Sequence, residues 1–241
     1  MIERLIERRM HPGPSAFVGI HWLLLCVVTA AASAPAEPAL SSAAPVVTFT
    51  LDFPASAPSH YSVRVTSDGK ASYESVGKLT PEAEGDPFSY NFTMSSANVA
   101  RIFEMAARAK YFEGDVDYHK GRQANTGKKT LGYQDATRRH ETVYNYSTHA
   151  EIQQLTHIFQ SLAQTMEFAR RLQYFHRYQR LAVEEELKLM EAMAKGNDLE
   201  ELQSVAPVLQ EIADDKAILN VTRVRAQRLL ARSTQPATGT Q

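Results

Sequence analysis

The chain has 241 residues, 44% of them hydrophobic and 22% charged, with 26 Lys and Arg against 27 Asp and Glu. This is the balance of an ordinary globular chain of one or two domains; it excludes a disordered protein, a collagen and a disulfide scaffold. The near-zero net charge of -1 also argues against a dedicated nucleic-acid binder, which is normally basic.

Arg4, Arg8 and Arg9 precede an apolar run from Ala16 to Val28, and small residues follow from Thr29 to Ala36. A positive start, an apolar centre and an Ala-x-Ala-like end form the order of a secretory signal peptide. The expectation is a signal over 1–36, cut after Ala34 or after Ala36, and a periplasmic or secreted product. The alternative is a chain anchored to the membrane by residues 16–34, although the run is short against the roughly 20 apolar residues a stable span requires. Cys26, the only cysteine, lies inside the run. The exported body therefore has no disulfide and no thiol nucleophile or ligand, and rests on its core alone.

Residues 37–45 are rich in Ala, Pro and Ser and read as a flexible linker. Period-two alternation then begins: Val47, Phe49, Leu51 and Phe53 predict a strand. His60 to Thr66 alternates again, and Asp68-Gly69 ahead of Ala71, Tyr73 and Ser75 predicts a hairpin turn, because such turns need the positive φ that glycine adopts freely. Residues 77–87 read as a loop, and Phe88, Tyr90, Phe92 and Met94 as another strand. Ser95 or Ser96 caps a helix carrying Val99, Ile102, Phe103, Ala106 and Ala109, closed by Tyr111-Phe112. After an exposed loop over 113–128, Lys129–Gln134 and Arg138–Tyr146 predict a second hairpin around Asp135-Ala136-Thr137. Thr148 and Glu151 have the spacing of a capping box, ahead of the stripe Ile152, Leu155, Phe159, Leu162 and Met166.

From about Glu167 the strand patterns stop. Leu172, Phe175, Leu181, Leu187, Met190 and Ala194 continue the stripe until Gly196-Asn197. A helix over 149–194 would span about 69 Å at 1.5 Å per residue, so a bend or break is expected near Phe168–Tyr174. Asp198 and Glu201 have capping-box spacing ahead of Leu199, Leu202, Ala206, Leu209 and Ile212, with Pro207 expected to kink that helix. Asp214-Asp215 is read as the cap of a last helix with Ile218, Val221, Val224 and Leu229 inward, and 234–241 as a disordered tail. The expected fold is α+β: an antiparallel sheet of hairpins with two helices on one face over 46–166, followed by a three-helix antiparallel unit over 167–233.

The layout from Tyr61 to about Leu172 resembles an exported bacterial family of domains of unknown function. It rests on Tyr61-Ser62-Val63, Asp68-Gly69 and Tyr73, then Phe92-Thr93-Met94-Ser95 leading into a helix, Tyr111-Phe112, Thr126, the Gly132–Val143 hairpin and the Leu155 and Leu162 helix. The order of hairpin, helix, hairpin and helix is also similar to that of emfourin-type protease inhibitors. The resemblance implies export and the α+β fold, and no reaction.

Chemistry-bearing motifs are sparse. His149 and His157 stand about 12 Å apart along a helix, too far to share one ion; His60, His119 and His140 would need the fold to gather them. The nucleophile elbow, the phosphate loop and the dinucleotide fingerprint do not occur. Asp115 and Asp117 lie in the predicted loop, and a calcium loop needs more ligands than they offer. Arg170, Arg171, Arg177 and Arg180 interleave with Tyr174, Phe175 and Tyr178. They read as solvated charges balanced by Glu184–Glu186, with an RNA or anionic-lipid surface as the alternative. Arg223, Arg225, Arg228 and Arg232 form a second basic set at the negative end of the last helix. Three Asn-x-Ser/Thr tripeptides, at Asn91, Asn145 and Asn220, are discounted as chance matches. No catalytic, cofactor-binding or metal residue is assigned and no cofactor is implied. The expected function is an exported, non-catalytic protein-interaction module with an unidentified protein partner in the envelope or outside. Membrane contact is expected only through a retained N-terminal segment, and nucleic acid is not expected. The alternatives are an emfourin-like inhibitor or an enzyme with a site near the 113–128 loop at Asp115, Asp117 and His119.

Overall fold

The computed structural model describes residues 44–79 and 84–234; the leader with Cys26, most of the expected linker and nearly all of the expected tail lie outside them. Six strands form one antiparallel sheet: β1 (Val46–Asp52), β2 (His60–Thr66), β3 (Lys70–Gly77), β4 (Asp86–Thr93), β5 (Lys128–Gln134) and β6 (Arg139–Tyr144). Their order is β4-β3-β2-β1-β5-β6, so β4 and β6 are the edges. Gly69 takes φ +88 in the β2–β3 turn, as the Asp-Gly pair requires.

The alternation of each strand gives the sheet two unlike faces. Val47, Phe49, Leu51, Tyr61, Val63, Val65 and Tyr73 are buried on one side. That side is covered by α1 (Ser96–Arg108) and by the first half of α2 (Ala150–Tyr178). Phe159 of α2 stacks on Phe49 of β1 with centroids 5.2 Å apart. The other side carries Thr48, Arg64, Ser72 and Asn91 in one cross-strand row and is polar. The fold is therefore α+β with a helical C-terminus.

Ser95 caps α1, its hydroxyl accepting from Asn98 N–H. Tyr111-Phe112 ends the helix through a 3-10 turn in which Lys110, Tyr111 and Phe112 all have positive φ. Phe112 is buried there and Arg138 lies 3.9 Å over the Tyr111 ring, contacts that hold an unfavourable left-handed turn.

α2 runs 29 residues, about 43 Å, and supplies two apolar clusters. Ile152 to Met166 face the sheet, while Phe168, Ala169 and Leu172 join α3 (Ala182–Gly196), α4 (Ala206–Asp214) and α5 (Asn220–Ser233) in a second core. Several expectations are corrected here. The break comes at Gln179–Leu181, not at 168–174, because Phe168 and Leu172 are buried whereas Arg177 to Leu181 have nothing to bury. Leu181 is not inward; it is 87% exposed. Thr148 is not the cap of α2; His149 is, with its N–H donated to Ser147 Oγ, one residue later than the box would need. Pro207 does not kink a helix but starts α4, where a missing N–H costs nothing. Asp214-Asp215 ends α4 instead of opening the last helix; Asp215 Oδ1 accepts from Ala217 N–H in the following turn. In α5 the inward set is Thr222, Ala226 and Leu229, and Val221 and Val224 are exposed.

The largest correction concerns Glu201. It does not form a box with Asp198: its φ is +57, its side chain caps nothing there, and the chain enters a short 3-10 helix, Leu202–Val205, only after it. Its buried carboxylate crosses to α1 instead. It accepts from Ser95 N–H at 2.9 Å, Ser95 Oγ at 2.6 Å, Asn98 Nδ2 at 2.7 Å and Gln203 Nε2. An anion at a helix N-terminus satisfies orphan N–H groups and meets the positive end of the dipole. The helical part is thus pinned onto the α+β part.

Candidate functional site: the open sheet edge and its groove

The two edges of the sheet are treated differently. Residues 113–127 close the C-terminal end of β6: Tyr118 N–H donates to Tyr146 O at 2.8 Å, and Thr142 Oγ donates to Gly114 O at 3.1 Å. Asp117 Oδ1 accepts from Asn145 N–H at 2.9 Å and from Tyr146 N–H at 3.1 Å. Lys129 completes the seal from inside, 4% exposed, its ammonium donating to Thr126 O, Gly127 O and Asn145 O. Burial holds its pKa below the usual lysine value, and the ring of carbonyls is what makes the buried cation tolerable.

No described residue pairs with β4 on its outer side. Met94 N–H donates to Gly69 O across the β3–β4 pair. By the alternation of an antiparallel ladder, Phe88, Tyr90 and Phe92 bond to β3, and Ser89, Asn91 and Thr93 turn their N–H groups outward. Pro87 has the outward parity, where its missing hydrogen does β3 no harm. On the covered face Phe88, Tyr90 and Phe92 form a ladder with centroids 6.2 and 6.3 Å apart. All three remain half-buried, and Tyr90 Oη donates to Ser204 O at 2.7 Å.

At the Asp86 end of β4 a groove of about 740 Å³ opens between the strand and the C-terminal turns of α2. Asp86, Pro87 and Phe88 line one side; Tyr174, Arg177, Tyr178 and Arg180 line the other, with Glu211 of α4 and Asp215, the residue after that helix. Under the groove lies a buried polar network. Glu167 Oε1 accepts from Tyr73 Oη at 2.8 Å and Ser75 Oγ at 2.7 Å. Arg170 donates through one terminal nitrogen to Gly77 O at 2.9 Å and Asp86 O at 3.0 Å, closing the mouth of the β3–β4 pair. Its other terminal nitrogen stands 3.8 Å from Glu167 Oε2.

The arginine stretch therefore divides into separate roles. Arg170 is a buried clamp, Arg171 donates to Glu186 at 2.6 Å, and only Arg177 and Arg180 reach the surface. In the second basic set, Arg225 meets Glu184 at 3.0 Å and also Glu191, and Arg228 meets Glu191 at 3.1 Å. Arg225 and Arg228 tie α5 to α3; Arg225 is largely withdrawn from solvent, whereas Arg228 stays more than half exposed. His176 lies 2.9 Å from Asp215 Oδ2, and the backbone N–H of Ala217, then His176, hold the Asp215 carboxyl below its usual range.

Asp115, Asp117 and His119 do come together. His119 Nε2 is 2.7 Å from Asp115 and its Nδ1 3.7 Å from Asp117; the hydrogen bond to Asp115 raises the imidazole pKa. They are loop residues lining neither this groove nor the shallower cavity of about 450 Å³ on the polar face of the sheet, and Asp117 is occupied by the backbone of 145 and 146. His60 pairs with Asp52 at 2.6 Å on the polar face, whereas His140 has the parity of the covered face, so the fold does not gather the three histidines. Among the described residues no three His, Cys, Asp or Glu side chains are placed to hold a metal ion, and no helix is long and apolar enough to cross a membrane. No family model matches the chain, and no curated protein matches it.

Proposed function

We propose that this chain is an exported, non-catalytic protein-interaction module whose partner adds an extended segment to β4. The observation that carries the reading is the outward row of N–H groups at Ser89, Asn91 and Thr93, left without a pairing strand among the described residues. An exposed edge is a template for another chain, and natural proteins ordinarily blunt it. Here a loop and a buried lysine close β6 at its C-terminal end, while β4 is limited by Asp86 and Pro87 at one end and is the edge with an aromatic ladder and a groove beside it. Main-chain bonds to such an edge supply affinity, and side-chain pockets beside it supply selectivity; the half-buried Phe88, Tyr90 and Phe92 and the adjoining groove suit that division. Export follows from the leader pattern.

The test is a proline at Asn91. Because the N–H of Asn91 faces away from β3, Asn91→Pro removes an outward donor and leaves the β3 ladder intact. Envelope proteins photo-crosslinked to a probe at Ser89 in the producing cell should be lost with Asn91→Pro and retained with Asn91→Ala, which keeps the N–H. A crosslink pattern indifferent to Asn91→Pro would refute the reading.

A further inference from the structure

The corner between α2 and α3 presents five consecutive exposed residues, Arg177 to Leu181. Tyr178 is 65% and Leu181 87% exposed. A single exposed leucine is ordinary. This one stands beside an exposed aromatic ring, with a guanidinium on either side of that ring in the sequence.

The carboxylates expected to balance these arginines are engaged elsewhere. Glu184 meets Arg225 at 3.0 Å, Glu185 meets Lys188 at 2.6 Å and Glu186 meets Arg171 at 2.6 Å. Among the described residues no carboxylate lies within ion-pair distance of Arg177. Arg180 has only Asp215 Oδ2 at 3.8 Å, an oxygen already held by His176 at 2.9 Å. The Arg177 guanidinium lies 6.0 Å from the Tyr178 ring centre, and Tyr178 in turn is 5.2 Å from Tyr174. Two under-neutralised cations, an aromatic pair and an exposed leucine thus share the end of α2 and the turn after it.

We propose that this corner seats the protein on an anionic phospholipid surface, with Leu181 in the acyl boundary, Tyr178 at headgroup depth, and Arg177 and Arg180 on lipid phosphates. Tyrosine favours the membrane–water interface because its ring is apolar and its tip polar. Guanidinium groups pair with phosphate oxygens through directed hydrogen bonds. Cations near an anionic leaflet are drawn to it individually. An RNA would use the same arginines and stack on the tyrosines but would give Leu181 no role, so the exposed leucine favours the lipid. The inference rests on the far wall of the groove and not on the outward N–H row of β4, and it gives the protein a membrane contact that needs no retained anchor.

The experiment is co-sedimentation of the full chain, as recovered from the producing cell, with vesicles of phosphatidylcholine with and without phosphatidylglycerol. The quantity read is the gain on adding phosphatidylglycerol, so apolar attachment common to both vesicles cancels. The gain should fall roughly 30-fold in R177Q/R180Q, about fivefold per arginine, whereas Leu181→Ser should lower binding to both vesicles and leave the gain unchanged. All three positions are exposed, so the circular dichroism melt should stay unchanged, which separates lost binding from lost folding. Absence of a phosphatidylglycerol-dependent gain, a gain indifferent to R177Q/R180Q, or capture by poly(U) in preference to the anionic vesicles would overturn the proposal. Each result stands whatever Asn91→Pro does at β4.

Discussion

Replacing Glu201 with alanine tests the claim that one carboxylate joins the helical part to the α+β part. The side chain is 4% exposed and takes hydrogen bonds from Ser95 N–H, Ser95 Oγ, Asn98 Nδ2 and Gln203 Nε2. A hydrogen bond to a charged acceptor contributes about 1.5–3 kcal/mol, and a buried donor left without one carries its own desolvation cost. The four do not add, because Asn98 Nδ2 keeps Glu200 at 2.9 Å and Gln203 can reach water. A loss of about 3 kcal/mol follows for Glu201→Ala, a fall of roughly 6–12 °C in melting temperature for a body of this size. The backbone adds an internal control. With φ at +57, a side chain at 201 is strained and glycine is not, so Glu201→Gly should be more stable than Glu201→Ala by about 1 kcal/mol. Urea unfolding followed by circular dichroism measures both. Glu201→Ala within about 1 kcal/mol of the parent, or glycine no better than alanine, would refute the reasoning.

Acid should lower the melting temperature in part through a few identified surface carboxylates. The Lys70 side chain, with Thr66, holds Asp68 down to about 2, the Thr137 N–H and Arg138 hold Asp135 lower still, and Asp215 is held down by Ala217 N–H and His176. A carboxyl whose folded pKa lies below its unfolded value stabilises fully above the latter and loses that contribution as pH falls through the former. The melting temperature should therefore drop between about pH 4 and about pH 2, and Asp135→Asn should make the drop shallower; a melting temperature flat across that window would contradict the assignment. Lys129→Met should cost about 1–3 kcal/mol by orphaning carbonyls at Thr126, Gly127 and Asn145 and should speed proteolysis within 113–127; unchanged cleavage would show that the lysine does not seal that loop.

What the sequence disclosed was local. The alternation of His60–Thr66 marks β2 to the residue, Asp68-Gly69 marks its turn, and Ser95 caps α1, because each of these depends on neighbours within a few positions. What it concealed was decided at long range. Asp198 and Glu201 have the spacing of a capping box, but the Glu201 oxygens are taken by donors about a hundred residues earlier, and no local pattern signals that. Arg170, Arg171, Arg177 and Arg180 look alike in sequence. Their fates diverge because Arg170 faces the β3–β4 mouth, Arg171 faces α3, and the last two lie where the helix has run out of core. The break at Gln179–Leu181 carries neither Gly nor Pro, so only the loss of buried side chains marks it. The open edge of β4 could be read from strand order alone, which no single strand encodes.

Amide hydrogen exchange on the isolated protein, resolved along β4, examines the central claim most directly. Phe88, Tyr90 and Phe92 should be protected by their bonds to β3, whereas Ser89, Asn91 and Thr93 should exchange fast and slow down only when the partner is added. Equal protection of both sets in the isolated protein would mean that this edge is already occupied, and the account of β4 as a docking strand would fall.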